Sequence, residues 1–313
     1  MTNSSNRNIL VDGIKFILIC LVILGHISYY DYGLRINRII YSFHMPLFVI
    51  ISGIYTHQKS KESFLKSTKK LILLYLIFQI GHIFFSIITT NIVVDLSILI
   101  KIIDPAIALW YLLCIIFWRT MYFLLSPNKI DIKILFILSI VLSFISGFIP
   151  LGNNFLAFQR TFSFLPFFVF GLMLRSEKER TIIIKIKPIF LIVSALIALI
   201  FAFYLPGFMP SSPYKTFHDP FLRLFQSFLA LIICIGIIKF LPKRIPAFFC
   251  KMGQWTLYYY LYHTFMIRVI PLLLDHYNIS LNVFEALIIV ALIVILITLM
   301  HKIKLFRLLL LEK

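Results

Sequence analysis

Long apolar runs recur from one end of this chain to the other, and no other feature limits its possible folds so strictly. Each run is about 17 to 23 residues long, the length that an α-helix needs to cross the hydrocarbon core of a bilayer. Hydrophobic residues make up 61% of the sequence and charged residues only 13%, whereas soluble domains average about 25% charged residues. The sequence therefore predicts an all-α, polytopic membrane protein.

We predict about ten transmembrane helices, which together form a single transmembrane domain over residues 1–313. The sixth of them is the shortest. The predicted spans lie near residues 13–31, 37–56, 70–89, 105–125, 132–150, 160–175, 187–206, 219–240, 254–274 and 283–303.

The Lys and Arg residues are distributed unevenly among the segments between these spans. Most of the 30 fall in the N-terminus, in the C-terminal tail and in every second connecting segment. Because basic loops stay in the cytoplasm, this bias predicts that both termini are cytoplasmic. The formal charge of +18 then indicates attraction to membrane lipids and not to nucleic acid, which would require the cations to share one polar face.

Two further features of the composition narrow the function. The four cysteines show none of the paired spacing of a zinc site, so we expect buried packing residues, no metal and no bound cofactor. The twelve acidic residues avoid the span centres, which disfavours an ion- or proton-coupled pump. The composition, rich in Ile, Lys and Asn, favours a multi-pass protein of a bacterial plasma membrane.

The first predicted span carries ionisable residues on one face. Lys15 and His26 are separated by almost three helical turns, so both side chains project from the same side, roughly 16 Å apart along the axis. Asp12 lies one turn before Lys15 on that side. Ionisable groups inside a membrane are costly and usually serve a function, so we include Asp12 and His26 among the catalytic candidates.

Three more histidines fall inside predicted spans, and a lone histidine there is most often a packing residue. His44 precedes Pro46, which bends a helix and can open a cavity; a kinked packing helix is the alternative. His263 shares a helical face with Trp255 and Tyr259. That aromatic stripe fits either a core or a surface that stacks on sugars, so Tyr259 is a candidate substrate-binding residue. For His82 we expect a structural role.

Basic and aromatic residues flank these histidines. Lys66, Lys69 and Lys70 precede the third span on the predicted inner side, where a cytoplasmic loop alone would explain them. Arg160 opens the sixth span on the predicted outer side, against the general charge bias, which makes it a candidate substrate-binding residue. Trp110 near the outer end of the fourth span fits either an interfacial aromatic belt or a substrate contact.

The motifs in family order resemble those of the membrane-bound acyltransferase 3 family. The match is closest to its short members, the fucose 4-O-acetylase-like and intercellular-adhesin-type enzymes. The motifs that carry the resemblance are Asp12-x-x-Lys15 with Leu24-Gly25-His26, Phe43-His44-Met45-Pro46-Leu47-Phe48 with Ser52-Gly53, Leu109-Trp110-Tyr111-Leu112, Phe164-Leu165-Pro166-Phe167-Phe168 with Gly171, and Leu257 to His263.

The resemblance implies an enzyme that moves an acyl group from cytoplasmic acyl-CoA to a hydroxyl of an extracytoplasmic glycan or glycolipid. It implies that His26 is the essential histidine of the first span, with Lys15 as its basic partner. Many members have arginine at that position and an Arg-x-x-Arg pair at the third span. Here Lys66 and Lys69 stand instead, and lysine holds phosphate only as a point charge.

We therefore expect an O-acyltransferase, and an acetyltransferase in particular. Acetyl-CoA or another acyl-CoA would dock its phosphates at Lys15 and at the lysine cluster, and neutral His26 would act as general base on the acceptor hydroxyl. His44 or His263 would orient that base or polarise the carbonyl. A covalent acyl-enzyme and a homodimer both stay open. The alternative function is an exporter or flippase of a polysaccharide or lipid-linked sugar.

Overall fold

The computed structural model describes residues 9–29, 36–57, 60–90, 102–125, 130–151, 155–204, 213–241, 244–277, 279 and 281–311. Every helix or strand element assigned within these ranges is a helix, which confirms the all-α prediction. The helices are α1 (Ile9–Tyr29), α2 (Ile36–Ile54), α3 (Lys61–Thr90), α4 (Trp110–Leu125), α5 (Ile132–Ser146), α6 (Phe158–Ser163), α7 (Leu165–Met173), α8 (Glu177–Lys185), α9 (Pro188–Tyr204), α10 (Asp219–Lys239), α11 (Ala247–Gly253), α12 (Thr256–Tyr277), α13 (Val283–Lys302) and α14 (Lys304–Leu309).

Six of these helices, within the ranges that the structure describes, are long and apolar enough to cross a membrane; they are α1, α2, α3, α10, α12 and α13. The number rises to eight if the bent pairs α6–α7 and α8–α9 each count as one span. The other two predicted spans contain α4 and α5, which are apolar but have only 16 and 15 residues. The structure thus supports six to eight candidate spans where the sequence predicted about ten. The cytoplasmic position of the termini stays a prediction.

Proline accounts for the two bends. The axes of α6 and α7 differ by 49°, and Pro166 occupies the first turn of α7, where its missing N–H costs nothing. The axes of α8 and α9 differ by 85°, and Pro188 begins α9. The predicted sixth span is therefore a broken helix, because a proline ring prevents the preceding residue from continuing the helix in register.

The side chains sort into an inner core and an outer apolar surface. Helices α5, α9 and α13 expose rows of Ile, Leu and Phe side chains, as expected for surfaces that face lipid. The interior contains α1, which packs against α2 and α11, and α2, which packs against α7. The buried His44 lies on α2, and the buried His263 lies on α12, which also packs against α1.

Two glycines allow α2 and α7 to approach each other closely. A Cβ atom added at Gly53 would lie 2.2 Å from the carbonyl oxygen of Phe168, and one at Gly171 would lie 2.2 Å from that of Ile50. No side chain fits at either position. Membrane helices associate through van der Waals contact, because lipid supplies no hydrophobic force between them, so this crossing fixes how α7 and the residues after it sit on α2.

We predict that Gly171→Ala destabilises the protein by about 1 to 3 kcal/mol, the usual cost of overpacking, because the new methyl group must push α7 away from α2. The midpoint of thermal unfolding in detergent measures this loss. Gly236→Ala is the matched control, since its Cβ would meet only Ala195 at an ordinary 3.7 Å. Equal midpoints for the two variants would show that the crossing is not tight.

Candidate active site

Three imidazoles meet where α1, α2 and α12 pack together. The ring centroids of His26 and His263 are 5.8 Å apart. His44 and His263 are almost completely buried, at 2% and 0% exposure. Tyr41 lies between His26 and His44: its hydroxyl is 3.2 Å from Nδ1 of His26, and its ring packs edge-on against His44 at 5.1 Å. The structure therefore brings together all three histidines that the sequence singled out as catalytic candidates.

The hydrogen bonds of His44 and His263 fix the positions of their protons. Nδ1 of His44 lies 2.6 Å from the carbonyl oxygen of Ile40, and Nδ1 of His263 lies 3.0 Å from that of Tyr259. A carbonyl oxygen only accepts, so in the neutral ring Nδ1 carries the hydrogen and Nε2 presents a lone pair. Nε2 of His263 is buried without a hydrogen-bond partner among the described residues, which suits a site that receives a donor from a ligand.

Tyr41 was missed by sequence reasoning, although a signal for it was present. Tyr41 precedes His44 by three residues in α2, and residues three apart lie on one helical face. A Cβ atom on Gly25 would lie only 3.3 Å from the Tyr41 ring. Gly25, next to His26, thus leaves room for the tyrosine that contacts the histidine.

Arg160 is the cation of this region. Its guanidinium carbon lies 5.1 Å from the ring centre of Trp110, and Trp110 in turn stacks on Phe164 at 5.2 Å. Arg160 also interacts electrostatically with His26, Tyr41 and Tyr260. Trp110 is only 8% exposed, so it lies inside the protein and not in an interfacial belt.

The reason for that depth is the backbone before α4. The predicted fourth span began at residue 105, but α4 begins at Trp110, and the chain from Asp104 to Leu109 is not helical. Side chains satisfy this buried backbone. Gln79 donates to the carbonyl of Asp104 (2.7 Å) and accepts from the amide of Ala106 (2.9 Å). The Tyr260 hydroxyl donates to the carbonyl of Ala108, and the Tyr75 hydroxyl donates to the carbonyl of Ile102 just before this segment.

We predict that Gln79→Leu lowers the thermal unfolding midpoint, because it leaves a half-buried carbonyl and a half-buried amide without their partner, at up to about 1 to 3 kcal/mol each. Non-helical backbone is tolerated at membrane depth only when the protein satisfies it. Thr89→Val on the same helix removes one exposed hydrogen bond to Phe85 and should change the midpoint little. A midpoint for Gln79→Leu as high as that of the control would contradict the prediction.

Tyr259 is not part of this cluster. Its side chain is fully buried and its hydroxyl bonds to Met252 (3.1 Å) and to Thr298 (2.7 Å). Only the backbone carbonyl of Tyr259 contributes to the cluster, because it accepts the hydrogen bond from Nδ1 of His263. The predicted aromatic face is divided, because Trp255 stacks on His301 at 4.5 Å. Tyr260, one residue on, lies nearer, with its ring 6.2 Å from His263.

Lys15 lies at the other end of the helix face that carries His26. Its ammonium is 3.7 Å from the carboxylate of Asp12 and 5.4 Å from the ring centre of Tyr55. The backbone of Asp12 packs directly on Gly253, where an added Cβ would overlap the Asp12 carbonyl. Asp12 is therefore a partner of Lys15 and a packing residue, and it lies far from the three histidines along α1.

The lysine cluster of α3 projects into solvent. Lys66, Lys69 and Lys70 are exposed. Phe64, close to them, stacks on Phe123 of α4 at 4.2 Å with nearly parallel rings. This contact sets the start of α3 beside the end of α4, and the structure gives no direct contact between these lysines and the histidines.

The contacts of His82 are those of a packing residue. Nε2 of His82 is 2.8 Å from the Thr264 hydroxyl, its ring stacks on Phe265 at 4.1 Å, and Arg268 donates to its carbonyl at 3.1 Å. Within the described ranges, no group of three or more His, Cys, Asp or Glu side chains is arranged to hold a metal ion.

Comparison with known families identifies the class of protein. The profile of the acyltransferase 3 family, described as an acyltransferase domain, matches residues 8–302. The chain belongs to this family of O-acyltransferases. It is therefore a multi-pass membrane enzyme with an acyl donor and an acceptor, which favours the enzyme over the exporter. No curated protein and no solved structure matches the chain significantly.

Proposed function

We propose that this protein transfers an acetyl group from cytoplasmic acetyl-CoA to a hydroxyl of an extracytoplasmic glycan or lipid-linked sugar, with His26 as general base. The observation that carries the proposal is the group of three imidazoles where α1, α2 and α12 meet, one of which, His26, lies on the same helix as Lys15. Buried ionisable groups of this kind are expensive in a membrane and are characteristic of functional sites.

Tyr41 supports the assignment of the base. When Nδ1 of His26 carries its hydrogen, it donates to the Tyr41 oxygen, and Nε2 is then free of hydrogen and basic. The two atoms are 3.2 Å apart, a distance at which Tyr41 can fix both the tautomer and the ring plane. This is the arrangement of a base held by a second group.

His44 and His263 suit a different role from His26. Because each commits Nδ1–H to a carbonyl of its own helix, each presents Nε2 as an acceptor. Nε2 carries no hydrogen in this tautomer, so it cannot donate to the carbonyl oxygen of the thioester. We therefore assign both residues to the acceptor substrate, whose hydroxyl hydrogens they receive, and not to polarisation of the thioester.

Arg160 is the group that supplies positive charge where the oxyanion develops. Trp110 contacts its guanidinium from one side and itself stacks on Phe164, and the electrostatic interaction of Arg160 with His26 supports a role beside the base. Preorganised positive charge in a dry site is usually the largest contribution to catalysis of acyl transfer.

In the proposed reaction the acetyl group passes directly from the thioester to the acceptor hydroxyl. The acceptor oxygen forms a bond to the thioester carbonyl carbon while its proton moves to Nε2 of His26. Arg160 stabilises the resulting tetrahedral oxyanion. The carbonyl re-forms, the carbon–sulfur bond breaks, and the leaving thiolate takes the proton from His26, which restores the neutral base.

The donor would enter from the end of α1 that carries Lys15. Lys15 and His26 are separated by roughly 16 Å along the helix, a length that suits the pantetheine arm between the phosphates of acyl-CoA and its thioester. The exposed lysines 66, 69 and 70 add positive charge at the start of α3, whose Phe64–Phe123 contact links it to α4.

The direct test is His26→Gln, for which we expect acyl transfer to fall by at least about 10²-fold, the usual contribution of a general base. Transfer from labelled acetyl-CoA to the glycans of cells that carry the protein measures the activity, and gel filtration of the purified variant verifies folding. His276→Gln changes an exposed histidine at the end of α12 and should remain active. Full activity of folded His26→Gln would refute the assignment.

A second prediction concerns Tyr41. Tyr41→Phe removes the hydroxyl that orients His26 and should lower kcat about tenfold while the KM for the acyl donor stays nearly constant, because the proposed phosphate contacts of the donor lie at Lys15 and on α3. Steady-state kinetics and the pH dependence of kcat measure the effect. Tyr277→Phe, at an exposed position, is the control. A change in KM alone would assign Tyr41 to donor binding instead.

A further inference from the structure

Arg175 stands out among the cations that the sequence did not single out. It follows α7 directly, and its side chain reaches two neighbouring elements. One terminal nitrogen donates to the Tyr122 hydroxyl of α4 at 2.6 Å, and the other is 3.2 Å from Nδ1 of His57, just after α2. Neither partner is a carboxylate, so the guanidinium is held in place without an ion pair.

The same end of α2 also carries the contact with Lys15. Lys15 lies over the ring of Tyr55, and Tyr55 is two residues before His57. The close crossing of Gly53 and Gly171 occurs one helical turn before His57 and before Arg175. That crossing therefore places Arg175 at the same end of the helix bundle as Lys15, near Tyr55 and His57.

Arg175 has no acidic partner among the residues that the structure describes. The ion pairs found there join Lys15 to Asp12 and Lys133 to Glu179. Cations and carboxylates both lie close to Arg175 in the chain. Arg180 donates to its carbonyl at 3.4 Å, and Glu177 and Glu179 lie in the first turn of α8. Glu179 pairs with Lys133, so it does not neutralise Arg175.

The free donors of Arg175 suit a phosphate group. A guanidinium has five N–H groups in a planar fork, and Tyr122 and His57 engage only two nitrogens of it. Arginine binds phosphate in a bidentate manner, which lysine cannot do. This chain has lysines at positions 15, 66 and 69, so Arg175 supplies a geometry that these residues lack.

We propose that Arg175 binds a phosphate group of the nucleotide end of the acyl donor, opposite Lys15, with Tyr122 and His57 orienting its guanidinium. The inference rests on the proposed function, since it concerns the same donor. It adds a phosphate-binding residue, directly after α7, to the lysines of α1 and α3.

The test is isothermal titration of the purified protein, in an uncharged detergent that offers no anionic lipid. The probes are coenzyme A, 3′,5′-ADP, which keeps phosphates without the arm, and pantetheine, which keeps the arm without phosphates. Arg175→Gln should raise the Kd for coenzyme A and for 3′,5′-ADP about 10- to 100-fold, the worth of charge-assisted hydrogen bonds. Its Kd for pantetheine should not change.

Two other variants make the result specific. Lys185→Gln removes an exposed cation ten residues away and should leave the Kd for coenzyme A unchanged. Arg175→Lys keeps the charge but loses the fork, so its Kd should lie between those of the wild type and Arg175→Gln. This conservative variant also provides the readout if Arg175→Gln does not fold.

The outcomes separate the inference from the proposed function. If Arg175→Gln and Arg175→Lys bind coenzyme A as the wild type does, Arg175 is no phosphate ligand and the inference is wrong, while coenzyme A binding itself stands. An equal loss for pantetheine would also overturn it, because the contact would then not be to phosphate. If the wild-type protein binds no coenzyme A, the proposed function fails.

Discussion

Close backbone contact between helices is the constraint on which the rest of this structure depends. In lipid, apolar side chains gain little from leaving their surroundings, so helices are held by packing at short range. Gly53 meets Gly171, and Gly253 meets the backbone of Asp12, at distances that admit no side chain. The first contact joins α2 to α7 and the second joins the start of α1 to the end of α11, directly before α12. These helices carry the three histidines.

The polar interior follows from the same requirement. Backbone groups inside a membrane must find partners within the protein, and the non-helical chain before α4 finds them in the side chains of Gln79 and Tyr260. This arrangement lets α4 begin deep in the bundle. As a result Trp110 contacts Arg160 inside the protein. Electrostatic interactions of the guanidinium are stronger there than at the surface, because little water screens them.

The chemistry also reflects local hydrogen bonding. His44 and His263 each bond to a carbonyl of their own helix, whereas His26 contacts the hydroxyl of Tyr41, which can donate or accept. A carbonyl and a hydroxyl oxygen can both accept the hydrogen of Nδ1, so each of the three rings can present a basic Nε2. His26 differs from the other two in its position, because it lies on α1 together with Lys15.

The sequence by itself determined the all-α class, the membrane location, most helix positions and the common face of Lys15 and His26, because each follows from apolar length or from the period of a single helix. The motifs around His26, His44 and His263 were enough to indicate the family. The sequence predicted the number of spans less well. Pro166 and Pro188 each lie in the first turn of a new helix, and the apolar pattern does not distinguish the non-helical residues 104–109 from the helix that follows them.

Only the tertiary structure decided that Tyr259 turns into the core while Tyr260 faces the site, that Tyr41 contacts His26, and that Arg175 lies at the same end of the helix bundle as Lys15. These relations join residues on different helices. The angle and depth at which two helices cross depend on contacts between residues far apart in the chain, such as Gly53 with Gly171, and the local period of a sequence carries no record of them.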